Sequence, residues 1–295
     1  MQLDPQLHRL LYRVAQAYYM DGDTQREIAK RFGLSRPKVS RLLQKARDAH
    51  VVNISLVPPS EGTADLEHDL ESAYALEEVV IVDVNHPERA DLVARDLGPA
   101  AAECLLRSLH RSGVVAMAWG RTLWATVEAL PERTMPDVTV VQLTGGLGPV
   151  DALEHSTELI RRAAEKLGAK LRLLPAPGVV STREAAEALR RDHQVSEVLK
   201  LASQADIAVV GIGVPTSDSV LLQDGTILTS DDLQMLTSSG AVGDIALRYI
   251  NAQGTPVDLE SVNRRIIGLP LEKITKIPRV IGVGGGTVKH KVVRA

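Results

Sequence analysis

The sequence predicts an α/β chain in two parts: an N-terminal helix-turn-helix head, winged-helix-like, and an open, mostly parallel α/β sheet domain behind it. Three observations predict this. Residues 1–56 carry ten Lys/Arg against five Asp/Glu and the remainder carries 24 against 32, so a basic head precedes an acidic body. From residue 63 onward, continuous apolar runs alternate with helical patterns, the order that builds a parallel sheet covered by helices. Glycines cluster just after those runs, where an open parallel sheet keeps its ligand crevice.

In the head, Leu7, Leu10, Leu11, Val14, Ala15 and Tyr18 form the apolar stripe of a supporting helix. TQREIAKRFGLSRPKVSRLLQKAR, residues 24–47, then places Ile28, Phe32, Leu34, Val39 and Leu42 at spacings that fit two short helices packed across a turn. Gly33 falls where that turn needs positive φ, and Ala29 is small where the helices approach. Ser35 is suited to cap the second helix, and Pro37 is tolerated in its first turn. That helix presents Arg36, Lys38, Ser40, Arg41, Gln44 and Lys45 away from Val39 and Leu42. Residues near its N-terminus would meet base edges in the major groove of double-stranded DNA, and Thr24, Gln25 and Lys45 would reach phosphates. A plain helical hairpin with a solvated basic face is the bland alternative. Eight basic residues against the single acid Glu27 within 24–47 favour DNA. HVVNISLV, 50–57, suits a short strand, a wing, and PPSEG, 58–62, a linker. The expected division is therefore 1–57, 58–62 and 63–295.

In the body, the expected strands are VVIVDV (79–84), VVAMA (114–118), VTVVQL (138–143), LRLL (171–174), IAVVGIG (207–213) and VIGVGGG (280–286). Each is predominantly apolar and continuous rather than alternating, as strands buried on both faces require. Helical stretches at 89–109, 157–168 and 182–192 intervene. AWGRTLWATVEAL, 118–130, reads as a strand end, a glycine turn and a helix start, a ready site for an anion. Arg121 adds a fork of donors suited to phosphate or carboxylate. Trp119 and Trp124 are packing residues beside that turn.

Several functions are excluded. GIGVPT (211–216) lacks the third glycine of a dinucleotide fingerprint, and GVGGGTVK (282–289) lacks the Gly-Lys-Ser/Thr of a nucleotide-binding loop. No nucleophile elbow is present, and the eight histidines lack metal-ligand spacing. The single cysteine, Cys104, rules out an internal disulfide and reads as buried filler. No cofactor is expected. No apolar run approaches the roughly 18 residues of a membrane span, and MQLDPQLHRLLYRVAQ lacks the apolar region of a signal peptide, so a cytoplasmic protein is expected. Only eight aromatics are available, so Val, Ile, Leu and Ala must build the core.

With both parts in view, the chain resembles the SorC family of bacterial sugar-responsive transcription regulators. The resemblance covers nearly the whole sequence and rests on REIAKRFGLSRPKVSRLLQKA, AWGRTL, QLTGG, PAPGVV, GIG, DDLQMLTSSGAVGDI, RRIIGLPLEKITKIPRVIGVGGG and Lys289. It implies an effector domain similar in fold to sugar-phosphate isomerases and deaminases, a homo-oligomer (dimer or tetramer), and operator binding altered by a phosphorylated sugar or related metabolite, with repression the commoner mode. It further implies phosphate on Gly120, Arg121, Thr122 and Leu123, with Lys289 completing the cup, Asp244 meeting sugar hydroxyls, and Gly145 and Gly146 beside them. Asp244 in GAVGD has a competing role as a turn cap. Family members continue past the Lys289 region through a further helix and strand, so KHKVVRA is expected to be an incomplete last helix. The isomerase-like fold keeps an enzyme acting on sugar phosphates as the alternative, with Asp244 its one candidate base.

Overall fold

The computed structural model describes residues 4–52, 62–146, 150–215, 228–257 and 262–295. The chain divides into two compact units, Met1–Val79 and Val80–Ala295.

The first unit holds α1 (Pro5–Tyr19), α2 (Gln25–Phe32), α3 (Arg36–Asp48) and α4 (Ala64–Tyr74). Thr24 and Glu27 close a reciprocal capping box at the start of α2, which satisfies two otherwise unpaired N–H groups. Gly33 ends α2 at φ 67°, as the turn requires. Pro37 sits in the first turn of α3, but Ser35, at the N-cap, makes no side-chain capping bond. Its expected cap is therefore absent, and the hydroxyl is left exposed. Leu11, Val14, Ile28, Val39, Leu42, Leu43 and Ala46 form this unit's own core. Burying each large aliphatic side chain there contributes roughly 1.5–3 kcal/mol. Tyr19 packs against that core, whereas Tyr18, assigned to the stripe from spacing, is 37% exposed. α4 buries none of its residues. Val51 and Val52 lie in bends, and the rest of the expected wing, with linker residues 58–61, falls outside the described residues.

The second unit runs α5 (Ala90–Ser108), β1 (Ser112–Met117), α6 (Arg121–Ala129), β2 (Asp137–Gln142), α7 (Val150–Leu167), β3 (Lys170–Arg172), α8 (Arg183–Arg191), α9 (His193–Ser203), β4 (Ile207–Gly213), α10 (Ser230–Ser238), β5 (Ala241–Ile245), β6 (Arg248–Asn251), α11 (Leu271–Ile274), β7 (Arg279–Val283) and α12 (His290–Arg294). Five strands pair in parallel in the order β3-β2-β1-β4-β7. The antiparallel hairpin β5–β6 joins at the carboxyl end of β4, where Ile212 pairs with Ile245 and Gly213 with Asp244. Val115, Ala116, Met117, Val140, Val141 and the run Ile207 to Val210 are all buried, so in β1, β2 and β4 the apolar pattern marks strands covered on both faces. The edge strands β3 and β7 depart from that expectation, with Lys170, Arg172 and Val280 exposed. Cys104 is half-buried against this core, less enclosed than expected.

Two expectations change. VVIVDV, 79–84, is not a strand: Val80 and Asp83 are exposed, and the segment joins no ladder of the sheet. An apolar run fits a strand, but pairing partners decide whether one forms. Conversely, the β5–β6 hairpin arises from VGDIALRYIN, where no strand was expected.

Candidate functional site

Along the parallel sheet the chain runs outward from β1 through β2 to β3, then returns to start β4 on the other side of β1. The strand order therefore reverses between β1 and β4, and the crevice at their carboxyl ends is where such a sheet binds ligands. The AWGRTL turn leaves β1 at that point. Gly120 has φ 142° and ψ 163°, a conformation essentially restricted to glycine, and serves as the N-cap of α6 without a side chain to fill the space. The first N–H to bond back into the helix is that of Trp124, to the Gly120 carbonyl at 2.8 Å. The N–H groups of Arg121, Thr122 and Leu123 thus have no intrahelical acceptor and sit at the positive end of the helix dipole. Arg121 is exposed and Thr122 buried. Leu123 is wholly buried in the core, so its side chain serves packing.

Asp244 enters the same region from β5. A Cβ on its partner Gly213 would collide with Asp244 Oδ1, so this glycine is what admits the carboxylate beside the end of β4. The Leu247 N–H donates to Asp244 Oδ2 at 3.0 Å, which realises the turn-capping role. Surrounding protein pushes the Asp244 carboxyl up to about 6, opposed by that N–H and by the charge of Lys289, although the residue keeps some solvent contact. Lys289 lies in a single 3-10 turn, Thr287–Lys289, after β7 and its glycines. Burial holds its ammonium below the usual lysine range; Asp244 pulls it up and Arg121 pushes it further down. Lys289 therefore lies within electrostatic reach of two residues from distant parts of the sequence, Asp244 and Arg121. Lys289 is brought there by α12, since Val292 occupies the space that a side chain at Gly243 on β5 would need.

Gly145 and Gly146 follow β2. The Gly145 N–H donates to the Ile267 carbonyl and the Gly146 N–H to that of Ala176, both at 2.9 Å. A Cβ at Gly145 would fall 2.5 Å from the carbonyl oxygens of Ala176 and Pro177, so close backbone approach explains this glycine. Their donors are used within the fold, so neither N–H is left for a ligand. Trp119 packs with the cluster containing Leu247 and Tyr249, and Trp124 against the main core. Sequence reading missed Thr144, whose hydroxyl is buried without a hydrogen-bond partner among the described residues, although QLTGG contains it. It also missed Arg248, which no motif marked.

On α3, Arg36, Lys38, Ser40, Arg41, Gln44 and Lys45 are all exposed, while Val39, Leu42, Leu43 and Ala46 face the core. Arg41 Nε donates to the Pro37 carbonyl at 3.4 Å, and Gln44 lies between Asp48 and Arg47. Thr24 is exposed with its hydroxyl engaged by Glu27, and Gln25 is half-buried at the first position of α2.

Residues 59–295 match the family described as "Putative sugar-binding domain". The chain is 34% identical over 290 residues to the transcriptional regulator LsrR of Klebsiella pneumoniae, covering 97% of this chain and 86% of that one. It belongs to the SorC family of sugar-responsive transcription regulators. This SorC-family chain is also 29% identical over 287 residues to the deoxyribonucleoside regulator of Bacillus subtilis, covering 97% and 90% of the two. Among solved structures, it matches a DeoR family transcriptional regulator from Listeria monocytogenes with a TM-score of 0.71 at 28% identity, over 79% of this chain and 91% of that one. The full-length sorbitol operon regulator SorC of Klebsiella pneumoniae matches over 97% and 92%, with a TM-score of 0.72; at 24% identity it supports the fold of this SorC-family member.

Proposed function

We propose that the chain is a repressor that binds double-stranded operator DNA through a helix-turn-helix formed by α2 and α3, and that a phosphorylated sugar alters its grip. One observation supports this reading most: Lys289 is within electrostatic reach both of Arg121, at the anion-ready start of α6, and of Asp244 on β5. The helix start and Arg121 suit a phosphate, Lys289 adds positive charge, and a carboxylate suits sugar hydroxyls. Residues 1–57 act as the DNA-binding head, 58–62 as linker and 63–295 as effector and oligomerisation domain, in a cytoplasmic dimer or tetramer. Sugar phosphate and DNA each favour a different state, so each changes affinity for the other by the same factor.

The test begins with inorganic phosphate, ribose 5-phosphate, fructose 6-phosphate and glycerol 3-phosphate, titrated by calorimetry into the whole protein. Arg121→Ala should weaken binding about 10- to 150-fold, the loss of one charge-assisted contact. On a duplex selected from a random pool, Arg36→Ala and Arg41→Ala should each cost roughly 1–3 kcal/mol of specific binding. Unchanged affinity in both would remove α3 from the DNA. Undiminished phosphate binding by Arg121→Ala would move the anion elsewhere. A second reading, a sugar-phosphate isomerase or deaminase, has one observation in its favour: a carboxyl near 6 is suited to general base catalysis. Incubation of the same sugar phosphates followed by NMR separates the two, because the regulator returns them unconverted.

A further inference from the structure

Asp244 owes its position to a turn that the chain adopts against local preference. Ala246 and Leu247 form the two-residue loop between β5 and β6, with φ of 51° and 68°. Loops of this kind select Asn-Gly because both central residues take positive φ. Non-glycine residues remain there only where the surroundings over-determine them. Part of that constraint is visible in the burial of Ala246 in the main core and Leu247 in the second cluster. Another part is the Leu247 N–H bonded to Asp244.

The remainder is Arg248, the first residue of β6. Its guanidinium is buried and donates to three main-chain carbonyls, those of Asn263 at 2.9 Å, Gly268 at 2.8 Å and Leu269 at 3.3 Å. No ion pair joins it to a carboxylate among the described residues. Burying a cation this way is costly, so a side chain serving only to fill space would be apolar. A planar five-donor fork reaches three carbonyls at once, which a lysine cannot do. The carbonyls belong to a segment tied to the end of β2: the Leu269 N–H donates to Leu143, the Gly145 N–H to Ile267, and Thr144 bridges Gly268. Arg190 holds the same segment independently through the carbonyls of Arg264 and Ile266. Replacing Arg248 therefore removes the main tie between the turn and the segment, leaving the longer bond of the Tyr249 N–H to Asn263 Oδ1 at 3.4 Å, and leaves the segment in place.

We propose that Arg248 is a positioning residue for effector recognition: its clamp on Asn263, Gly268 and Leu269 holds the strained Ala246–Leu247 turn, and so fixes the Asp244 carboxylate in the pocket. The inference rests on that pocket being the effector site. Its test uses Arg248→Met and Arg248→Lys in the full chain, first without ligand. Carboxyl-carbon NMR should show Asp244 titrating at lower pH than in the parent as its enclosure loosens. The Leu247 amide should exchange about tenfold faster, while Val140 and Val209 amides stay as slow as in the parent. With the four phosphates named above, affinity for inorganic phosphate should hold while preference for the sugar phosphate the parent binds best falls about tenfold. Either variant, folded and with Asp244 titration and Leu247 exchange unchanged, overturns the proposal; if the Met variant does not fold, the Lys variant decides. Equally faster exchange at Val140 and Val209 also overturns it, since Arg248 would then serve only general stability. If the parent binds no sugar phosphate, the pocket reading fails, and the ligand-free arm still decides whether Arg248 sets the carboxylate.

Discussion

The charge on Asp244 makes folding of this chain depend on pH in a direction opposite to that of most carboxylates. In the folded state its carboxyl titrates at about 6 against an ordinary 3.8, because burial favours the neutral form. Between those values the native state holds more protons than the unfolded one, so stability falls as pH rises through the window. The contribution is of order 1–3 kcal/mol, given residual solvent contact and the neighbouring Lys289. Asp244→Asn cannot titrate and should remove that slope, as urea unfolding across the window would measure. Thr144 offers a second residue-scale test. A buried hydroxyl without a partner costs about 1–3 kcal/mol, and valine has nearly its shape. Thr144→Val should leave the melting temperature unchanged or raise it; a fall would show that the hydroxyl is bonded in solution. Both residues stood in motifs readable from sequence. Their environments did not, because burial and hydrogen-bond satisfaction depend on segments far away in the chain.

Among the elements, β1, β2 and β4 were legible because they are rich in apolar residues and largely buried, whereas the edge strands β3 and β7 keep exposed residues such as Lys170, Arg172 and Val280. The helix start at Arg121 was legible because a glycine precedes it. The β5–β6 hairpin was hidden by its Ala246-Leu247 turn, which carries none of the Asn, Asp or Gly that announce such loops. The run 79–84 misled for the opposite reason: its composition suits a strand, but it pairs with no strand of the sheet. The glycines of β4 separate packing from site construction. A methyl at Gly211 would make only ordinary contacts, 3.8 Å from Leu123 and 3.9 Å from the Trp119 carbonyl. A methyl at Gly213 would strike the Asp244 carboxylate. Gly213→Ala should therefore cost about 1–3 kcal/mol in stability and also weaken sugar-phosphate binding, while Gly211→Ala should do neither. Thermal melts and calorimetric titrations of the pair would check this.

For the whole molecule, the head has its own core, and the sheet unit's clusters contain none of its residues. Two calorimetric transitions are expected. A sugar phosphate at 100 times its dissociation constant should raise only that of the larger unit, by about 2.7 kcal/mol. DNA affinity should fall steeply with salt, in proportion to the phosphates met by the head, although the whole chain carries a net charge of −3. The change of charge along the chain suggested a division at 58–62, whereas the compact units meet at Val79 and Val80, and the grouping of α4 with the first unit was hidden because its residues bury nothing. The pocket has a further consequence, set by the seating of Val292 over Gly243 that delivers Lys289 to Asp244. During synthesis the chain emerges from its N-terminus, and a three-helix head built on short-range contacts matures early. The proposed cup joins residues 121, 244 and 289, so it closes only when chain positions 168 residues apart have been brought together. A head of local contacts therefore takes shape sooner than a cup of such long reach, and a refolding sample should regain its helical signal before it regains affinity for phosphate.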